Sequence, residues 1–468
     1  MRSRVTTTVT STGEAPTSGP ITTTTSPTSA PPAPAPAPAA TPTPSPRRLL
    51  ALDVLRGIAI LGTLLTNIWI FSSAGHSQDV AEAGVEPSNA AVMVETGLGL
   101  VTDGKFIGLL TIMFGIGLEI QRQSALRRGA GWPGRYPWRA GILIVEGALN
   151  YLFVFEFDVL MGYGLTALAV SAIMITRPRA QKIWMIIGVS VHVVVIVGID
   201  LLMFVFGLIF AGLGEGDDDW AGVDDGGTLE GGVPVGQGAP LGGMGGWAEK
   251  IGAGNVDSYW AGVAYRWEHF MEGRAEIPVM LLMGLGLFLV GAHLYRAGVF
   301  EAHGARLRRR IMLLSFGVGL PLDWFLRLGL NDEFGLTTRY VTSAMVAFGV
   351  LALVAQFYVG RTRTGVIGTC LSAVGRMALS CYILQNLLAS VIFYDWGFGV
   401  ANLIAGPNVT WWTLGIYAGL AAGLVLFSLL WLRFFSRGPF EWLWHALYRG
   451  VNVVLDARAA RRAPAHPG

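Results

Sequence analysis

The chain has 468 residues, 52% of them hydrophobic and 14% charged, with a formal net charge of +2. Soluble domains carry a charged share of about 25%, so this composition excludes an ordinary soluble protein and reads as a polytopic membrane protein. Nucleic-acid binding finds no support in so small a net charge, and the only two cysteines, Cys370 and Cys381, exclude a disulfide scaffold: a helix would hold them about 16 Å apart, beyond bonding reach.

Residues 1–46 are almost wholly Thr, Pro, Ser and Ala and include "PPAPAPAPAATPTPSP". With so few large apolar side chains the stretch is predicted to be a disordered tail, and no hydrophobic run follows its basic start as in a secretory signal. The transmembrane bundle is expected over 47–436. Ten segments are apolar enough to cross the hydrocarbon core: 49–71, 105–121, 138–156, 158–176, 183–212, 277–297, 309–330, 337–359, 370–394 and 411–435. Each approaches the roughly 20 residues that a crossing needs.

Connecting segments alternate in charge. Arg47, Arg48, the stretch from Arg122 to Arg139, Arg177, Arg179, Lys182, the stretch from Arg306 to Arg310, Arg361, Arg363 and the tail from Arg433 fall on one side of an even-span arrangement. That side is predicted to be cytoplasmic, which places both termini inside. Asp79, Glu82, Glu86, Glu156, Asp158, the run "GEGDDDW" and Asp332 and Glu333 fall on the other. The external loop 213–276 opens Gly-rich and acidic, without the ligand spacing of a calcium loop, and reads as a solvated linker. Its later part, "VDSYWAGVAYRWEHFMEG", suggests an interfacial anchoring helix. Residues 437–468 read as an amphipathic segment and a basic cytoplasmic tail, with Trp442 and Trp444 suited to the inner interface.

Several spans carry polar groups, which usually face a bundle interior or a wet cavity. In "LDVLRGIAILGTLLTN", residues Asp53, Arg56, Thr63 and Asn67 fall within about 80° of one another on a helix. Asp53 and Arg56 are read either as a structural ion pair or as the inner end of a site. In the segment 370–394, Arg376, Ser380, Asn386, Ser390 and Tyr394 share a helix face, and Gln385 points the other way. The two polar faces are expected to share a cavity. Asp158 and Glu156 read either as solvated turn acids or as a general base, and His76 is the external imidazole nearest the stripe of the first span. His192 and Asp200 lie in the fifth span, where Asp200 needs a partner that the sequence does not name. No nucleotide, zinc or nucleophile-elbow motif occurs in a credible setting.

Four stretches together resemble the YeiB-like family of bacterial membrane proteins, a domain of unknown function: "LDVLRGIAILGTLLTN", "KFIGLLTIMFGIGLE", "FEFDVLMGYGLTAL", and the pair "GRMALSCYILQN" with "WLRFFSRGPFEWLW". The resemblance spans residues 48–450, and its last pair is the most specific part. That family in turn resembles the transmembrane acyltransferase superfamily, which includes heparan-glucosaminide acetyltransferase and bacterial polysaccharide O-acetyltransferases. Those proteins move an acyl group, commonly from cytoplasmic acyl-CoA, onto a sugar across the membrane.

The D-x-x-R-G-x-A pattern ending in Asn of the heparan enzyme type is matched by Asp53, Arg56, Gly57, Ala59 and Asn67. A catalytic histidine follows that Asn in the external loop, and His76 is placed similarly. The O-acetyltransferase branch has histidines at the positions of Asn67 and Gln385; neither is present here. The resemblance therefore implies His76 or Asp158 as the catalytic base, with Asp53, Arg56, Asn67, Lys105, Arg376, Gln385 and Asn386 as binding residues. It implies acyl-CoA as donor, an envelope glycan or small molecule as acceptor, no tightly bound cofactor or metal, and a multi-pass place in the plasma membrane. Two other readings use the same residues: a transporter of a small polar or ionic solute, with Asp200 or Asp158 binding a coupling cation, and a non-catalytic scaffold.

Overall fold

The computed structural model describes residues 50–73, 88–213, 258–274, 276–330, 333–361 and 364–462. Among these residues every regular element is helical, as the apolar segments predict. The first helices are α1 (Leu50–Ser73), α2 (Asn89–Thr102), α3 (Lys105–Arg127), α4 (Tyr136–Phe153), α5 (Leu160–Ile173), α6 (Pro178–Leu213) and the short α7 (Tyr259–Glu268). There follow α8 (Ile277–Arg296), the composite helices α9 (Ala302–Gly329) and α10 (Gly335–Tyr358), then α11 (Gly365–Arg376), α12 (Ala378–Phe393), α13 (Val400–Ile404), α14 (Val409–Phe434) and α15 (Pro439–Arg462).

All ten predicted segments lie on helices, but fewer have the length and composition of a crossing. Among the described residues seven helices are long and apolar enough to span a membrane, or eight if α11 and α12 form one bent span. The difference lies at α4, which carries Arg139 and Glu146, and at α5, which is 14 residues long. At about 1.5 Å per residue, α5 covers some 21 Å and falls short of a full hydrocarbon core.

Burial separates a central helix from a perimeter. In α1 72% of the apolar window is inside the protein, against 17% in α6 and 22% in both α9 and α14. The perimeter helices turn Val194, Leu202, Leu313, Leu314, Leu426 and Leu430 outward, as side chains facing lipid would be. One apolar core joins α3, α5, α8 and α10 around Ile112, Tyr163 and Phe288. A second joins α1, α12 and α14 around Leu64, Phe71, Cys381 and Phe393.

Helix α1 packs on α11 through glycine: a Cβ at Gly57 would fall on the Leu371 carbonyl, and one at Gly375 on the Asp53 carbonyl. Such backbone-to-backbone approach is how helices associate where no hydrophobic drive separates them from lipid. Cys370 and Cys381 are both free.

The sequence pattern predicts one continuous helix over 370–394. The structure instead bends it by 85° between α11 and α12, with Met377 at φ −116° and ψ 33°. The polar face read across the whole segment is therefore split, and Arg376 lies on a different axis from Ser380, Asn386, Ser390 and Tyr394. The bend is stabilised by the segment that opens α15. Glu441 Oε1 accepts from the backbone N–H groups of Leu379, at 2.8 Å, and Ser380, at 3.2 Å, while its Oε2 accepts from the Ser380 hydroxyl. Phe440 N–H in turn donates to Ser380 Oγ at 3.0 Å. A carboxylate at a helix N-terminus satisfies its first orphan N–H groups and complements its dipole. The two most family-like stretches of the sequence thus meet as hinge and cap.

Candidate functional site

Polar side chains of five elements converge on a small cavity of about 20 Å³, lined by Thr63 and Asn67 of α1, Glu276, Arg339 of α10 and Tyr382 of α12. Ile107, Leu110, Phe157 and Val159 close its apolar sides. The stripe of α1 does face inward: Asp53, Thr63 and Asn67 are buried. A cavity of this size admits one water-sized group.

Asp158 lies behind the wall of this cavity. The acids between α4 and α5, one of whose readings was a solvated turn, are interior: Glu156 is 2% exposed and Asp158 5%. Asp158 Oδ1 accepts from Asn150 Nδ2 at 2.8 Å and from the Tyr382 hydroxyl at 3.4 Å, and Oδ2 accepts from Met161 N–H at 3.2 Å. Gly147 makes this possible, because a Cβ there would lie 2.7 Å from Asp158 Oδ2 and would strike the Met161 nitrogen.

The linker that carries both acids is clamped from the other side. Arg274 donates to the carbonyls of Asp158, at 3.2 Å, and Glu156, and its guanidinium sits 3.7 Å over the Tyr151 ring. Glu156 accepts from the Tyr394 hydroxyl at 2.8 Å and faces Arg266 at 3.8 Å. Arg266 belongs to α7 and is 3% exposed, so the helix expected only to anchor at an interface also plugs a cation into the bundle.

Beyond Arg339 the cavity wall opens onto a buried charge network that the sequence reading did not single out, Lys105 apart. Lys105 Nζ lies 2.5 Å from Asp323 Oδ2, and Thr342 Oγ1 donates to Asp323 Oδ1 at 2.6 Å. Arg327 pairs with Asp103 at 2.8 Å and with Asp323 at 3.5 Å. Arg339 reaches Asp103 at 3.3 Å and Glu276 at 3.6 Å, and the Tyr340 hydroxyl donates to Glu276. Lys105, Arg327 and Arg339 thereby face Asp103, Asp323 and Glu276, a balance of charge that lowers the penalty of burial. The signal that could have found it was the presence of both signs of charge within predicted spans.

The other predicted residues are placed as follows. Arg56 lies 3.7 Å from Asp53, with its side chain 39% exposed. Arg376 lines a separate open pocket of about 240 Å³ between α11 and α14, with Thr364, Thr369, Ser372, Leu429, Leu432 and Arg433. Gln385 and Asn386 are fully buried, and none of their amide atoms has a hydrogen-bond partner. Lys105, Arg376, Gln385 and Asn386 do not line the central cavity. Asp200 finds the partner that the sequence left open in a backbone group: it accepts from Thr337 N–H at 2.6 Å, at the start of α10. His192 Nε2 lies 3.1 Å from the Tyr340 carbonyl oxygen. His76 and the acids Asp217, Asp218, Asp219, Asp224 and Asp225 lie outside the described residues.

The comparisons agree with this picture of an apolar helical bundle without an established chemistry. Residues 294–450 match the family described as "Protein of unknown function (DUF418)". The chain is 28% identical to "Uncharacterized protein YeiB" of Escherichia coli (strain K12) over 428 residues, 86% of this chain and 96% of that protein. It is 24% identical to "Uncharacterized protein YxaH" of Bacillus subtilis (strain 168) over 425 residues, 85% of this chain and 94% of that one. No solved structure matches the chain. With DUF418 at its C-terminal third and end-to-end similarity to two such proteins, the chain belongs to a YeiB-like family of unknown function.

Proposed function

We propose that the protein is an integral membrane acyltransferase, moving an acyl group from cytoplasmic acyl-CoA to a hydroxyl or amine of an envelope glycan or small acceptor. The reading places it in the plasma membrane with ten crossings, α4 and α5 forming a short pair, and with both termini cytoplasmic. The observation that carries it is the Asp158–Tyr382 pair: a buried carboxylate whose tyrosine partner lines an enclosed polar cavity beside Asn67. Acyl transfer needs a base for the acceptor and hydrogen-bond donors for the oxyanion. Asp158 takes the acceptor proton as the acceptor oxygen or nitrogen bonds to the thioester carbon. The C–S bond then breaks, and the departing thiolate receives that proton. Tyr382, Asn67 and Arg339 are the donors nearest the reacting carbonyl. The cavity matches the reacting hydroxyl and not the whole acceptor. Arg56 and Arg376 receive the donor's phosphates on the cytoplasmic side, acyl-CoA acting as a substrate and not as a resident cofactor.

The test uses the full-length protein in lipid nanodiscs with radiolabelled acetyl-CoA and acceptor glycans from envelope extracts. Label is expected to reach the acceptor, and Asp158→Asn to slow transfer by about 10²–10⁴-fold. If His76→Ala and not Asp158→Asn removes activity, the base is His76; no transfer from any common acyl-CoA refutes the proposal.

Solute transport is the second reading. What favours it is the 85° break between α11 and α12, because transporters build their sites at discontinuous helices. Gradient-dependent uptake into proteoliposomes without an acyl donor would decide for it.

A further inference from the structure

The open pocket between α11 and α14 lies on the far side of the helix break from the central cavity and has a chemistry of its own. Two guanidinium groups, Arg376 and Arg433, stand at one wall, and three hydroxyls, Thr364, Thr369 and Ser372, at another. The Thr364 and Thr369 hydroxyls are 2.7 Å apart, and Thr369 also donates to the Gly365 carbonyl, so the hydroxyl wall is held in place. The remaining wall is aliphatic, from Leu429 and Leu432.

The rim argues about the source of a ligand. Val366 is 82% exposed, Ile367 76% and Phe434 81%, with Phe435 beside them. Exposed apolar side chains of this size in a membrane protein lie where lipid can cover them. From the pocket, Leu426 and Leu430 continue an apolar strip along the outward side of α14. A ligand suited to all of this has an anionic head for the arginines and hydroxyls and apolar chains for the strip.

We infer that this pocket binds the phosphate group of an anionic phospholipid, headgroup between Arg376 and Arg433 and acyl chains along α14. Paired arginines recognise phosphate oxygens by charge-assisted, bidentate hydrogen bonds, which a merely positive surface does not supply. The about 240 Å³ available holds a phosphoglycerol head. The inference stands apart from the acyl-transfer reading, since it assigns no reaction to the pocket.

The experiment titrates full-length protein in neutral-detergent micelles with dihexanoyl phosphatidylglycerol, with dihexanoyl glycerol and with inorganic pyrophosphate, and reads the unfolding temperature. Phosphatidylglycerol is expected to stabilise saturably and dihexanoyl glycerol not at all. Arg433→Gln, at an exposed position, and Arg376→Gln are each expected to weaken the response by about tenfold or more. The double variant Arg309→Gln/Arg310→Gln removes exposed cations elsewhere and is expected to respond as wild type. Saturation by pyrophosphate with the same variant pattern would retain the phosphate site and name a soluble phosphate as its source. No saturable response to either phosphate compound, or equal weakening in the Arg309/Arg310 variant, overturns the inference.

Discussion

Replacing Glu441 tests whether the cap of α12 holds the break in the α11–α12 pair. Glu441→Ala removes three hydrogen bonds at once: those from Leu379 N–H and Ser380 N–H, at 2.8 and 3.2 Å, and that from the Ser380 hydroxyl. A hydrogen bond to a charged group contributes about 1.5–3 kcal/mol. Three that share one carboxylate do not add, and the Ser380 oxygen keeps its bond from Phe440 N–H. The expected loss is therefore about 3 kcal/mol, larger than an ordinary N-cap deletion of about 1 kcal/mol. Glu441→Gln keeps an oxygen for the two N–H groups but loses the charge, and should cost about 1 kcal/mol.

The assay is the midpoint of SDS-induced unfolding in mixed micelles, followed by tryptophan fluorescence, with Ser380→Ala completing a double-mutant cycle. A coupling of about 1 kcal/mol between the two positions is expected. If Glu441→Ala unfolds within about 0.5 kcal/mol of wild type, the cap does not stabilise the break and the reasoning fails.

Two further outcomes follow from buried polar partners. Lys105→Met leaves the Asp323 carboxylate inside the bundle without its nearest cation and should cost about 3–5 kcal/mol in the same titration, with Asp323→Asn adding less than its own single effect. Additive losses would show that the two are not coupled. Asp200→Ala strands the Thr337 N–H at the start of α10 and should cost about 2 kcal/mol, whereas Asp200→Asn, which keeps an acceptor, should cost less. Equal losses for Ala and Asn would contradict the capping role.

What the sequence made legible is what local pattern can carry. Periodicity alone placed Asp53, Thr63 and Asn67 on one inward face of α1, because a helix shows its polar side without reference to neighbours. The bend at Met377 was not legible: the residues around it are as apolar as the rest of the segment, and the group that stabilises it lies about sixty residues on, at Glu441. Asp200 could not be paired from an inventory of side chains, since its partner is a backbone N–H. Lys105 stood out as a candidate, but Asp323 was hidden in an apolar run, so the pairing needed the tertiary fold. The buried acids of the α4–α5 linker stayed ambiguous for the same reason. Their clamp, Arg274, sits more than a hundred residues away.

The helices that bring Asp323, Arg327 and Arg339 together are wound unevenly: α9 contains π-helical turns at Ser315–Gly319 and Phe325–Gly329, and α10 one at Thr338–Thr342. A π turn accommodates one residue more than the α turn it replaces. Deleting a single residue from Ser315–Gly319 would let ordinary winding return and swing everything after it by about 100°, with a retreat of about 1.5 Å. Asp323 would then rotate off Lys105 and Thr342 while every amino acid of the pairing was still present. Chain length between Arg308 and Asp323 is thus itself a heritable determinant of pairing, and one-residue gaps in that interval mark relatives whose charges are wired differently.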